Sequence, residues 1–298
     1  MSAFIIVTTS LGFVYLDLNH DLGCPGMWMG LLGAILVLGS AIECARMAAA
    51  NAMPGVFLPA VIGSTGVVGA ALVPLFWPLS GTPYPDDCML GGLGWPLAAS
   101  SISLLGCFVW QMPRYQVGTG QLQQAIIAGW IAVYFGTCFS FAVALRRIEP
   151  GDWGLYLIVG VIVVTKFADA GAYFTGRAIG RTKLCPTVSP GKTVEGLLGG
   201  AVVASLAAWI YFSIVGKTAF EELTVNVSPF GVILLGVLLT IAGVLGDLLE
   251  SVFKREMGCK DSGRVLPGLG GLWDVTDSLL PAFVLAYLVM MAELITVS

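Results

Sequence analysis

Charge is what this sequence has least of. Charged residues make up 11% of its 298 positions, against 57% hydrophobic, where an ordinary soluble domain carries about 25% charge. A water-soluble globule of this length could not cover its surface with so few charged groups. That excludes a soluble enzyme, and the apolar content excludes a disordered chain. Histidine is nearly missing. His20 stands alone, so no His-rich metal site and no Cys/His dyad can be assembled, and its place in a short polar connection reads as interfacial. The seven cysteines, at 24, 44, 88, 107, 138, 185 and 259, form no Cys-x-x-Cys pair. Zinc, redox and disulfide-framework readings lose their support, which leaves small apolar membrane residues. No Lys or Arg precedes Arg46, so the first apolar stretch lacks the basic start of a signal peptide and reads as a span.

Long apolar runs are what the chain has in quantity. They predict an all-α, polytopic integral membrane protein with about nine transmembrane helices, since about 20 mostly apolar residues cross the hydrocarbon core. The candidate spans lie near 2–18, 26–45, 53–78, 91–112, 122–145, 152–173, 195–216, 228–253 and 278–297. The third holds Pro54, Pro59, Pro74 and Pro78 and is expected to be kinked or divided. Gly30/Gly33 and Gly199/Gly200 are small-residue pairs that let helices approach closely. With nine spans, one face receives Arg46, Arg114, Lys166, Arg177, Arg181, Lys183, Lys192, Lys254, Arg255, Lys260 and Arg264, and the other only Arg146, Arg147 and Lys217. The positive-inside rule then places the N-terminus and the basic segments in the cytoplasm and the C-terminus outside. Asp17, Asp21, Asp86, Asp87, Glu149, Asp152, Glu221 and Glu222 fall on the outer face.

Reactive groups gather in the C-terminal half. Residues 1–150 read as a transmembrane scaffold. Residues 151–298 read as the catalytic region, with cytoplasmic motif segments at 166–196 and 247–277. The first segment contains Asp169, Tyr173, Gly176, Arg177, Gly180, Arg181 and Lys183, then Ser189-Pro190-Gly191-Lys192-Thr193-Val194-Glu195-Gly196. Such a turn, with a helix starting just after it, offers hydroxyls, backbone N–H groups and an ammonium to an anion. A P-loop is excluded because Pro186 stands where its first glycine belongs. The bland alternative makes these cations ordinary positive-inside anchors.

The second segment starts inside a span. Asp247, Glu250, Ser251 and Lys254 are spaced to share one helical face, and ionisable residues within a span usually face a cavity or partner. Asp274 and Asp277 follow, three apart, and on a helical turn they would share a face. Asp247, Asp274 and Asp277 together would make a hard oxygen-ligand set suited to Mg²⁺. The alternative is carboxylates paired with Lys and Arg for structure alone.

Segment two resembles the signature of the phosphatidate cytidylyltransferases, or CDP-diacylglycerol synthases, through Ser251, Lys254, Arg255, Lys260, Asp261, Gly263, Leu266, Pro267, Gly270, Gly271, Leu272, Asp274 and Asp277. Segment one is similar to the same family's other motif through Asp169, Tyr173, Gly176, Arg177, Ser189, Pro190, Lys192, Thr193, Glu195 and Gly196. The likeness covers roughly residues 166–280. It departs at Leu269 and Val275, where the family has His and Arg. The resemblance implies nucleotidyl transfer from CTP to phosphatidic acid, giving CDP-diacylglycerol and pyrophosphate at the cytoplasmic side of a cell's inner membrane. It implies Mg²⁺ on Asp247, Asp274 and Asp277, a second cation such as K⁺, and a homodimer among membrane lipids. It also implies that Lys254, Arg255, Lys260 and Arg177 neutralise phosphates and that Ser189, Lys192 and Thr193 cradle them. Asp261 and Glu195 would orient those cations or join the metal shell. No nucleic-acid partner is expected. The rival readings are an anion or secondary transporter, which predicts inverted repeats that the two unlike halves do not offer, and a divergent inactive relative motivated by Leu269 and Val275. A CDP-alcohol phosphotransferase lacks its aspartate frame here.

Overall fold

The computed structural model describes residues 2–20, 22–85, 87–215, 225–263, 266, 268 and 270–297. Arg264, Pro267 and Leu269 of the signature lie outside the described residues, as do Asp21, Asp86, Lys217, Glu221 and Glu222. The chain forms two compact units, Met1–Arg147 with Lys254–Thr276, and Ile148–Phe253 with Asp277–Ser298. The first boundary falls near residue 150. The signature, however, is divided, with its central part belonging to the N-terminal unit.

The first unit is built from α1 (Ser2–Asn19), α2 (Met27–Ala50), α3 (Phe57–Phe76), α4 (Gly91–Gln111) and α5 (Gln121–Arg146). Its interior is small and apolar: Ala45, Ala48, Ala60, Val67, Ala128, Ile131, Ala132 and Phe135 have no exposed surface. Short 3₁₀ turns, Pro54–Val56 and Trp77–Ser80, flank α3. The proline-rich third span is therefore a continuous helix carrying Pro59 and Pro74, with Pro54 and Pro78 taken up in those end turns, where a missing N–H costs little. Residues 254–276 join this unit because Trp273, fully buried, packs edge-on against Phe135 with ring centroids 5.4 Å apart, and Thr276 Oγ1 lies 2.9 Å from Ser40 Oγ.

The second unit contains α6 (Trp153–Ile179), the hairpin β1 (Lys183–Cys185) and β2 (Ser189–Thr193), α7 (Val194–Ile210), β3 (Val225–Val227), α8 (Pro229–Glu256, whose last turn belongs to the first unit), α10 (Leu279–Met291) and β4 (Ile295–Val297). The short α9 (Trp273–Thr276) belongs to the first unit. Helices α6 and α7 touch along their length. Gly200 permits this, since an added Cβ would stand 2.9 Å from the Ala168 carbonyl, the small-residue contact expected of Gly199/Gly200. Strands β3 and β4 pair antiparallel, Val225 opposite Val297, so the chain enters α8 and leaves α10 at the same end of this unit.

The architecture is all-α and polytopic, as expected. Among the described residues, eight helical stretches are long and apolar enough to cross a membrane. Nine were expected. The first expected span, α1, is a helix of 18 residues and is not among these eight. Two further expectations change. Ser189–Thr193 is a strand of a hairpin and not a turn, although a helix does begin directly after it. Asp274 and Asp277 do not share a helical face, because α9 ends at Thr276 and α10 begins only at Leu279. Asp277 occupies the turn between them.

Candidate functional site

Three carboxylates converge in the second unit. Asp247 and Glu250 are one turn apart on α8, and Asp277 lies in the turn before α10; each offers an oxygen within 4.8 Å of the others. Glu250 is 2% exposed and Asp277 7%. Gathering acids in an apolar segment is costly unless a cation or a hydrogen-bond network compensates. Part of that compensation is visible. Lys192, near the end of β2, places Nζ 2.6 Å from Asp247 Oδ2. The Ser278 N–H donates to Asp277 Oδ1 at 2.6 Å, and Ser251 Oγ donates to Asp247 Oδ1 at 3.4 Å. Lys166 on α6 reaches Ser278 Oγ at 3.0 Å and Asp169 at 3.3 Å. The donor set is hard and oxygen-only, which suits Mg²⁺.

The hairpin that carries Lys192 is held from both ends. Thr193 caps α7, its Oγ1 accepting the Gly196 N–H at 3.1 Å, a typical N-cap contact. Glu195, in the first turn of α7, reaches back to accept the Arg181 and Thr182 N–H groups, each at 3.1 Å. These two side chains therefore fix the backbone that presents Lys192. Ser189 begins the same strand, half-buried. Arg177 is exposed and donates to the Tyr173 hydroxyl at 3.1 Å.

Asp274 sits in the first unit in a network of its own. Its Oδ1 receives Lys254 Nζ at 2.8 Å. Its Oδ2 accepts the Gly271 N–H at 2.7 Å, Ser262 Oγ at 2.6 Å and the Ser262 N–H at 3.2 Å. Arg255, Lys260 and Asp261 are exposed.

Of the three expected metal ligands, the structure thus brings Asp247 and Asp277 together, adds Glu250, and gives Asp274 other partners. Glu250 was legible on the same helical face as Asp247 yet was not assigned a role. Glu43, in α2, was missed altogether. It is 5% exposed; its Oε2 accepts the Trp273 N–H at 3.1 Å and lies 3.2 Å from Ser262 Oγ, whose single proton it shares with Asp274 Oδ2. The signal was present, an acid in the middle of an apolar run.

Residues 1–292 match the model of the family described as "Cytidylyltransferase family". The chain is 45% identical over 154 residues to a protein of Haemophilus influenzae named phosphatidate cytidylyltransferase, covering 50% of this chain and 52% of that one. A Bacillus subtilis protein of the same name is 40% identical over 157 residues, 53% of this chain and 54% of its own length. A third so named, from Staphylococcus haemolyticus, is 33% identical over 219 residues, 73% of this chain and 76% of that one. In the first two the match spans about half the relative's length. With nearly its whole length matched, the chain belongs to the cytidylyltransferase family.

Proposed function

We propose that this protein transfers a cytidylyl group from CTP to phosphatidic acid, releasing pyrophosphate. The carrying observation is the convergence of Asp247, Glu250 and Asp277 beside Lys192 in a chain of this family. The lipid phosphate is already ionised near neutral pH, so it can attack the α-phosphorus of CTP without a dedicated base. The new P–O bond forms as the bond to the β-phosphate breaks, and pyrophosphate carries off the electron pair. The obstacle is repulsion between two anions, which fixed cations and a divalent ion relieve.

Asp247, Glu250 and Asp277 would hold Mg²⁺, which when bound supplies charge neutralisation across the reacting phosphates. Lys192, presented by the capped hairpin, would take a phosphate oxygen; Ser189, at the start of the same strand, is assigned to phosphate binding from the motif resemblance alone. From the signature resemblance, Lys254, oriented by Asp274, is assigned a phosphate-neutralising role, and so are Arg177, Arg255 and Lys260. Thr193 and Glu195 act by holding the hairpin. Lipid would enter between helices, because only the bilayer solvates its acyl chains.

The test is direct: purified protein in lipid nanodiscs with labelled CTP, phosphatidic acid and Mg²⁺. The expected products are a labelled CDP-lipid and an equal amount of pyrophosphate. Folded protein that yields neither overturns the reading.

A further inference from the structure

Glu43 is a carboxylate within the apolar run of α2, and the mechanism above does not use it. It forms no ion pair among the described residues, and its Oε1 is buried with no hydrogen-bond partner there. As a stabilising element it is a poor choice, since an apolar side chain would avoid the desolvation cost. What surrounds it is the central part of the signature. Gly263 and Gly271 both face it. A Cβ added at Gly263 would stand 2.5 Å from Glu43 Oε1, and one at Gly271 would run into Oε2. The Trp273 N–H, the first of α9, donates to Oε2 at 3.1 Å. Ser262 Oγ lies between two carboxylates, 3.2 Å from Glu43 Oε2 and 2.6 Å from Asp274 Oδ2.

We infer that Glu43 is a positioning residue for the proposed reaction: it seats Ser262, Gly263, Gly271 and Trp273 so that Ser262 and Gly271 hold Asp274, and Asp274 in turn aims Lys254. The inference rests on the nucleotidyl-transfer reading. Among the described residues Asp274 has four donors, and three come from the two loop residues that close around Glu43, while the fourth is Lys254 itself. Without the Glu43 oxygen, Ser262 and the start of α9 lose the contact that fixes their distance from one another.

Four variants test it, Glu43→Leu, Glu43→Gln, Ser262→Ala and the double Glu43→Leu/Ser262→Ala, with Ser40→Ala as a control that breaks a different contact between α2 and α9. Glu43→Leu should lower kcat about 30-fold with the KM for phosphatidic acid within about twofold, the pattern of a lost transition-state contact. Glu43→Gln keeps an acceptor for the Trp273 N–H and should stay within about fivefold of the parent. The double variant should lose no more than Glu43→Leu alone, because both act along one chain of contacts. Ser40→Ala should leave kcat unchanged. A parent-like kcat in Glu43→Leu, losses that multiply in the double variant, or no recovery in Glu43→Gln overturns the inference. Hydrogen exchange supplies an arm independent of turnover. In Glu43→Leu, the Ser262, Gly271 and Trp273 amides should lose protection while α2 keeps its own. If the parent protein makes no CDP-lipid, the functional reading fails and this arm alone decides whether Glu43 seats the loop; unchanged protection rejects it.

Discussion

Lys192 Nζ stands 2.6 Å from Asp247 Oδ2, and Asp247, 43% exposed, is the accessible member of a cluster whose other two acids are buried. The ammonium is a resident counter-ion, so a divalent ion binding there must share or displace it. Lys192→Gln should therefore tighten Mn²⁺ binding to the nucleotide-free protein, by about tenfold for one removed like charge at close range, while lowering turnover. Electron paramagnetic resonance of free Mn²⁺ measures the first and the CDP-lipid assay the second. Weaker Mn²⁺ binding would show that the lysine does not compete for the site.

Asp247→Asn, Glu250→Gln and Asp277→Asn are each expected to lower turnover by at least about 100-fold while the protein elutes as the parent does. Glu250 is the informative position, because its role rests on the three-dimensional cluster alone. Full activity in Glu250→Gln would remove it from the metal shell.

The first unit contains a second buried charge pair. Arg146 Nε lies 2.9 Å from Asp17 Oδ2, the two side chains 4% and 0% exposed, and Asp17 Oδ1 also accepts the Trp28 N–H at 3.1 Å. Truncating one partner of a buried pair typically costs about 3–5 kcal/mol, because the other charge stays buried. Asp17→Ala and Arg146→Ala should each lower the unfolding midpoint in detergent, and Asp17→Leu/Arg146→Met should recover much of the loss. Midpoints within a degree of the parent would assign the pair no structural weight.

Two thiols report on connections outside the spans. The Tyr84 hydroxyl, donating to Cys88 Sγ at 3.2 Å, holds that thiol below its ordinary pKa, whereas burial pushes the Cys259 thiol up. A lowered pKa means more thiolate at neutral pH and faster alkylation. Cys88 should react with maleimide well before Cys259 at neutral pH. The orientation expected from the positive-inside rule adds a sidedness test. An impermeant maleimide applied to intact cells should label Cys88 and spare Cys259, and the reverse would invert the orientation.

Much of this protein can be read without coordinates. An 11% charge content and long apolar runs leave the membrane as the only solvent in which the chain can fold, and spacing along α8 puts Asp247 and Glu250 on one face. The motif segments were legible because polar residues are expensive in lipid and so stand out against an apolar background. Glu43 stands out by the same rule. It went unassigned because its meaning depends on a loop more than 200 residues away in the chain.

Only the tertiary structure decided which acids meet. Asp274 and Asp277 are three residues apart, and local periodicity assigns them to one site. The break between Thr276 and Leu279 sends one carboxylate to Lys254 and Ser262 and the other to Asp247 and Glu250. Periodicity describes a helix and is silent on where one ends, here after Thr276. Composition and spacing determined the solvent, the spans and the chemical groups on offer; long-range packing determined their partners, because a side chain's neighbours across a fold are not encoded in its neighbours along the chain.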